Sequence, residues 1–232
     1  IRLPSSCHLE ARSLPSHRQT RFLASRGLLA ELMFMLYGTL ELPEIVYKAK
    51  GKPAFRDKNL PSFSIAYAGN MVGITLTTEG ECGLDMELQR ATRGFISPHS
   101  LESPTFSSNE SLWISKQNDP DEARAQMITL RQSVLKLTGD VRNDDPRELQ
   151  LLPGAGRLKC AHVAQIEAIC DAEDLLVWSV AVTPAIEKLQ LWEFDGKQGW
   201  KSLPDIQTRA NAPTGRLMRF APLSAATSYT HN

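Results

Sequence analysis

The chain has no excess of either charge: among its 232 residues, Lys and Arg together number 26 and Asp and Glu together number 26. A grip on an acidic ligand must then come from locally placed cations, which argues against a general nucleic-acid binder. Cysteine is scarce. Cys7, Cys82, Cys160 and Cys170 stand singly, with no CxxC pair and no His at metal-ligand spacing, which argues against zinc and for free thiols in a reducing compartment. Long apolar runs are also missing. The longest, Leu28 to Tyr37, is interrupted by Glu31 and falls far short of the ~20 residues of a membrane span. No membrane helix is therefore expected. The sequence starts at Ile1 with no basic, apolar, small-residue leader, and the expectation is a cytoplasmic protein. What is present is an apolar fraction of 42%, enough for one large core or two small ones in a compact soluble chain.

Apolar residues at Phe22, Leu23, Leu29, Ala30, Met33 and Tyr37 predict an amphipathic helix over His17 to Tyr37, stopped by Gly38. Its first turns carry Arg18, Arg21 and Arg26, which read either as a solvated face or as a phosphate grip. Glu44 to Tyr47, Phe63 to Ala68 and Met71 to Thr77 read as adjacent strands, the last two a hairpin turning at Ala68-Gly69-Asn70. Gly83 to Leu88 reads as a further strand, in which Asp85 and Glu87 project from one face. Two carboxylates side by side are costly unless a cation or a proton joins them, so the pair is either a candidate metal site or a solvated edge.

Arg93 to Pro104, rich in Ser and Pro, is the expected interdomain linker. Helices are predicted at Ser108 to Ser115 and Glu122 to Leu137, and strands at Leu149 to Leu152, Leu158 to Val163, Gln165 to Cys170, Leu175 to Thr183 and Leu189 to Phe194. Both halves run helix first and strands afterwards. The expected fold class is α+β, as two similar lobes over residues 1–103 and 104–232, the second closed by a polar irregular tail from Pro204.

The marks that carry chemistry follow in order: Gly51-Lys52-Pro53, Phe63-Ser64-Ile65-Ala66-Tyr67-Ala68-Gly69, Gly83-Leu84-Asp85-Met86-Glu87, Phe106-Ser107-Ser108-Asn109-Glu110, and Ile128 to Gly139. This ordered set resembles the GKP, FNxSHSG, GxDxE, FxxxE and WxxKExxxK signatures of Sfp-type 4'-phosphopantetheinyl transferases, most nearly their YieE-like bacterial branch. The resemblance spans roughly residues 17 to 140. It implies two pseudo-symmetric α+β lobes with coenzyme A in the cleft between them. It also implies transfer of phosphopantetheine from coenzyme A to a serine of an acyl or peptidyl carrier protein, by a monomer. Asp85 and Glu87 match the Mg2+-binding acids of GxDxE. Lys52 matches a residue near the nucleotide, Lys136 the lysine that approaches the pyrophosphate, and Arg18, Arg21 and Arg26 fall where the family gathers cations for the 3'-phosphate.

Three departures bear on catalysis. Tyr67 stands where the signature has a phosphate-contacting His, so a phenol replaces a group able to carry positive charge. Gln132 stands where the signature has a third metal acid and potential base, and an amide can ligate through oxygen but takes no proton at useful pH. Ile128 replaces the signature Trp. Glu110, Asp85 or a metal-bound water are left as stand-in bases. Two functions stay open: a slow or specialised transferase, and a non-catalytic protein that binds coenzyme A or the carrier.

Overall fold

The computed structural model describes residues 3–89, 106–139, 145 and 147–223. Two helices, α1 (Ser5–Arg12) and α2 (Ser16–Tyr37), open the chain. In α2, Phe22, Leu29, Ala30 and Met33 are buried at helical spacing, and Gly38 ends it in the left-handed region at φ 69°. Strands β1 (Ile45–Tyr47), β2 (Pro53–Phe55), β3 (Ser62–Ala68), β4 (Met71–Thr77) and β5 (Cys82–Leu88) follow. The expected β3–β4 hairpin is present in full register, Ser62 opposite Thr77 through Ala68 opposite Met71. Strand β1, expected beside it, pairs instead with β2. Strand β2 begins at the proline of the GKP mark and, at three residues, is too short to show a strand period. Phe55 and Phe63 pack with Leu29, Met33 and Leu42 as the core of this part.

Helices α3 (Ser108–Ser115) and α4 (Pro120–Thr138) come next. Helix α3 begins with a reciprocal capping box between Ser107 and Glu110. Helix α4 begins with Asp119 accepting from the Glu122 backbone N–H at 3.1 Å and has Pro120 in its first turn. Its buried residues Ala123, Met127, Leu130, Val134 and Leu137 form one stripe. The remaining elements are β6 (Leu149–Leu152), β7 (Arg157–Cys160), β8 (Glu167–Ala172), β9 (Leu176–Val182), β10 (Trp192–Asp195), β11 (Gly199–Ser202), α5 (Ile206–Asn211) and β12 (Met218–Pro222).

The fold is α+β, and its centre is a six-stranded sheet in the order β5-β9-β8-β12-β7-β6. The first-half strand β5 is thus the edge of a sheet otherwise built from the second half. The expected boundary at 103/104 and the linker Arg93 to Pro104 lie outside the described residues. Strand β9 shows why one sheet serves two cores. Val177 and Ala181 pack toward α4, while Trp178, Val180 and Val182 pack the other way with Ile169, Ile186 and Ile206. Cys82, Leu84 and Met86 of β5 join that second cluster. By alternation Gly83, Asp85 and Glu87 face α4.

The tail expected from Pro204 is corrected. Residues 206–211 are helical, and β12 lies between β8 and β7, antiparallel to the first and parallel to the second. A five-residue strand with arginine and proline has too weak a period to be read as a central strand, yet Phe220 is only 2% exposed. Arg209 fastens the segment by donating to Asp171 and Glu173. The expected strand Leu189 to Phe194 is shortened and pairs with β11 as a separate hairpin. No helix among the described residues is long and apolar enough to cross a membrane.

Ending the chain after Leu203 removes α5 and β12 and opens unpaired edges on β7 and β8. The truncated chain is expected to aggregate or to bind a hydrophobic dye in its soluble fraction. A soluble truncation that melts as cooperatively as the full chain would refute the central placement of β12. A second outcome concerns Gly83, where an added Cβ would sit 1.9 Å from the Ser133 carbonyl oxygen and 2.7 Å from the Leu137 nitrogen. Gly83→Ala is therefore expected to cost about 3 kcal/mol or more in urea unfolding, since helix backbone has to move.

Candidate functional site

The site is built on β5 and the helix pressed against it. Because only a glycine fits under α4 at position 83, helix and strand approach closely there. The contacts fix their relative direction: Ser133 and Leu137 meet Gly83, and Lys136 meets Asp85. Arg124, near the start of α4, is the cation whose field reaches Glu87. Helix and strand therefore run antiparallel.

Strand β5 has β9 on one side only, and residue 84 directs both its backbone groups to the open side. Its N–H donates to Ser64 Oγ of β3 at 3.0 Å, and its carbonyl accepts from Lys136 Nζ at 2.9 Å. Two residues earlier, the Cys82 carbonyl accepts from Lys52 Nζ at 2.7 Å. Side chains thus supply the bonds that a neighbouring strand would give, and two lysines line the seam between β3 and β5. Lys136 also reaches the Ile65 carbonyl at 3.4 Å and lies 3.3 Å from Asp85 Oδ1. Lys52 makes an ion pair with Glu81 at 3.4 Å, shared with Lys48 at 3.0 Å.

The two acids are not a solvated edge. Burial pushes the Asp85 carboxyl above its ordinary value, with Lys136 opposing. Burial and then the neighbouring Asp85 charge push Glu87 up to about 7, with Arg124 pulling it back. Glu87 Oε2 is buried and has no hydrogen-bond partner among the described residues. A shielded carboxylate oxygen without a donor is a costly arrangement that a proton or a cation would relieve. Among the described residues no three His, Cys, Asp or Glu side chains converge on a metal position. A cation here has the pair on β5 and must find its other ligands among amides, water or a bound anion.

The expected cations separate into different environments. Arg21 stays exposed beside Tyr67, its guanidinium 5.0 Å from the ring centre and donating to the Gly69 carbonyl at 3.0 Å. Gly69 in turn lies against Leu88, at the Glu87 end of β5. Arg18 is exposed on the first turns of α2. Arg26, expected with them as a phosphate ligand, is buried, donating to Ser25 Oγ at 3.1 Å and to Tyr47 Oη at 2.8 Å and stacked 4.2 Å from the Phe22 ring centre. Position along the helix explains the correction: Arg26 lies in the packed part of α2 against Phe22, Ser25 and Tyr47, whereas Arg18 and Arg21 lie in its exposed first two turns.

Glu110 is likewise withdrawn from its expected place as a base. It is fully buried, accepts from the Ser107 backbone N–H at 2.9 Å, and is paired with Arg131 at 3.0 Å. Arg131 is 1% exposed and also donates to the Leu149 carbonyl. The FxxxE and WxxKE marks thus meet as an internal ion pair that is costly to break. The residue that sequence reasoning missed is Arg124, whose guanidinium lies 5.5 Å from the Phe106 ring centre. Its signal was present: Arg124, Ile128, Gln132 and Lys136 recur every four residues on α4.

Glu87 titrates near 4.5 when unfolded and about 7 when folded, so between these values the folded state holds the extra proton. Its contribution is present below the unfolded value and is lost as pH rises through the folded one. In the presence of a chelator, Glu87→Gln is expected to stabilise the protein by about 1–2 kcal/mol at pH 8 and little at pH 5. Equal melting shifts at both pH values would contradict this environment.

No family model matches the chain. It is 78% identical over 232 residues to the "Uncharacterized protein YieE" of Escherichia coli K12, covering all of this chain and 93% of that protein. Similarity to the 4'-phosphopantetheinyl transferase AcpT is partial: 37% identity over 73 residues in E. coli O157:H7, 32% of this chain and 34% of that enzyme. With AcpT of Salmonella typhi it is 28% over 124 residues, 53% of this chain and 60% of that enzyme. By its full-length match the chain belongs to the family of the YieE protein, and part of that length carries a distant similarity to the AcpT phosphopantetheinyl transferases.

Proposed function

We propose that the chain transfers 4'-phosphopantetheine from coenzyme A to a serine of an acyl or peptidyl carrier protein, with Mg2+ bound at Asp85 and Glu87. The observation that carries this reading is the carboxylate pair on β5, facing α4 with one buried oxygen lacking a partner. Mg2+ takes oxygen ligands and keeps water in its remaining positions, which suits two acids and no third. When bound, it supplies charge neutralisation at the pyrophosphate. Gln132 is the third protein ligand in this reading. One helical turn from Lys136 advances about 6 Å, close to the two-residue step from Asp85 to Glu87, so its amide comes level with the pair.

The chain's own groups share the remaining work. Lys52 and the exposed Arg18 and Arg21 take the phosphates, and Lys136 holds Asp85 and the β3–β5 seam in place. The serine oxygen attacks the phosphorus that carries phosphopantetheine, the pyrophosphate P–O bond breaks, and adenosine 3',5'-bisphosphate leaves with the bond electrons. The serine proton must go to an acceptor, and Gln132 is not one. Glu110 is committed to Arg131. With Asp85 and Glu87 taken as the metal acids, we assign the proton to water held at the site.

A binding protein without turnover is the second reading, favoured by the neutral Gln132 and the phenol at Tyr67. One experiment separates the two: incubation with coenzyme A, Mg2+ and a panel of apo carrier proteins, read as the mass gain of one phosphopantetheine. Transfer is expected, lost about 100-fold or more in Asp85→Ala and Glu87→Ala. Gln132→Glu is expected to raise it by about tenfold or more. Coenzyme A at 100 times its Kd should add about 2.7 kcal/mol of stability in a melting assay. A melting shift without transfer by either wild type or Gln132→Glu selects the binding reading, and no shift at all removes both.

A further inference from the structure

Helix α2 is apolar on both sides. Leu29, Ala30 and Met33 enter the core beside β3, and on the opposite side Ala24, Gly27, Leu28, Glu31, Phe34 and Met35 recur at steps of three and four. Ala24 is exposed and Phe34 is 42% exposed, while Leu28 and Met35 are half-buried yet join no core cluster among the described residues. Gly27 stands in the middle of this face. A glycine weakens a helix relative to alanine, and here an added Cβ would meet nothing within 4 Å. Gly83 is demanded by the backbone of α4; Gly27 is demanded by nothing within the described chain. Charge is unevenly placed as well. Glu31 is the single acid of α2 and makes no ion pair or hydrogen bond among the described residues, whereas His17, Arg18 and Arg21 occupy the first two turns.

We propose that α2 pairs with α2 of a second copy of this chain, antiparallel about a two-fold axis and crossing at Gly27. The pattern selects this occupant. An antiparallel copy brings Glu31 of each helix, one turn beyond the crossing, toward the basic turns of the other that carry Arg21, and the two-fold makes this contact twice. A parallel copy would set acid over acid and base over base. Arg21 gives a donor to the Gly69 carbonyl and keeps others for a carboxylate. With no Cβ at the crossing the two backbones can approach closely, and the apolar side chains on either side of it meet their counterparts. The 22 residues of α2 span about 33 Å, so one helix face buries less than the ~800 Å2 per partner of a standard stable interface, and a Kd on the order of tens of micromolar is expected. This dimer stands in place of the monomer that the resemblance implies, and it is independent of the transferase reading.

The test is sedimentation of the full chain from about 1 to about 300 µM, a range that brackets the expected Kd. Expected is a 25.8 kDa species at the dilute end and a mass approaching that of two chains at the concentrated end. Gly27→Leu is expected to weaken association about tenfold or more. Gly27→Ala weakens it less while raising the melting temperature of the dilute monomer, since alanine strengthens the helix. Glu31→Arg and Arg21→Glu are each expected to self-associate about tenfold or more weakly than wild type. Mixed together they are expected to associate, because each then meets the opposite charge at both contacts. Circular dichroism verifies that every variant is folded. A chain that stays monomeric at the highest concentration would overturn the proposal. Association unchanged in Gly27→Leu and Glu31→Arg would overturn it by moving the interface elsewhere, and charge variants that remain apart when mixed would overturn the antiparallel pairing. A monomer that co-sediments with phosphatidylglycerol vesicles would overturn the proposal and give this face to a lipid surface.

Discussion

Helix α4 can lie on β5 only because residue 83 has no side chain, and the distance this permits sets the reach of every group that follows. A Cβ at that point would enter the backbone of α4 at Ser133. With the helix held so close, Lys136 can satisfy the Leu84 carbonyl and Asp85 at once. Lift the helix by the width of a methyl group and the ammonium must choose between strand and carboxylate. The same contact orders the core behind it. Thr129 Oγ1 meets Ser179 Oγ of β9 at 2.9 Å, so the helix is registered against two strands by polar as well as apolar contacts. The glycine of the GxDxE mark is thus a packing requirement, and its acids are the residues which that packing carries toward the helix.

Edge-strand chemistry explains where the functional groups are. β5 pairs with β9 on one side, and on the other its polar groups meet side chains from three separate segments: Ser64 from β3, Lys52 from the turn before β2 and Lys136 from α4. Such an edge would otherwise invite pairing with another chain. Here it becomes a seam lined with lysines. An anionic ligand lying along it would meet these cations without any net charge on the protein, consistent with the even balance of acids and bases in the sequence.

Much of this was legible in the sequence because it is local. The α2 and α4 periods, the β3–β4 hairpin and the same-face placement of Asp85 and Glu87 follow from periods of 3.6 and 2. What escaped is what depends on distant partners. β12 has no strand signature of its own and becomes central because β7 and β8 leave room for it between them. The pairing of β1 with β2 rather than β3 is equally non-local. Arg26 and Glu110 belonged to marks read as chemistry, yet one falls on the buried phase of α2 and the other caps α3 and pairs with Arg131. The capping box at Ser107 to Glu110 was itself readable, three residues apart at a helix start. Arg124 was missed because it lies outside every family signature, although its four-residue spacing from Ile128, Gln132 and Lys136 was in view.

Two of the three departures from the Sfp-type signatures change how charge is supplied. Tyr67 cannot carry the charge of an imidazole, but its ring face and the Gly69 carbonyl hold the guanidinium of Arg21 in place. An arginine stays protonated throughout the working range, whereas an imidazole gains and loses its proton near neutrality. At the other departure a neutral amide stands at Gln132, and the acids facing α4 are Asp85, 3.3 Å from Lys136, and Glu87, whose Oε2 has no hydrogen-bond partner among the described residues. The seam keeps its cations fixed, Lys52 on the Cys82 carbonyl and Lys136 on the Leu84 carbonyl. Those cations are held by β5 itself, while the buried Glu87 oxygen is left for a proton or a cation to satisfy.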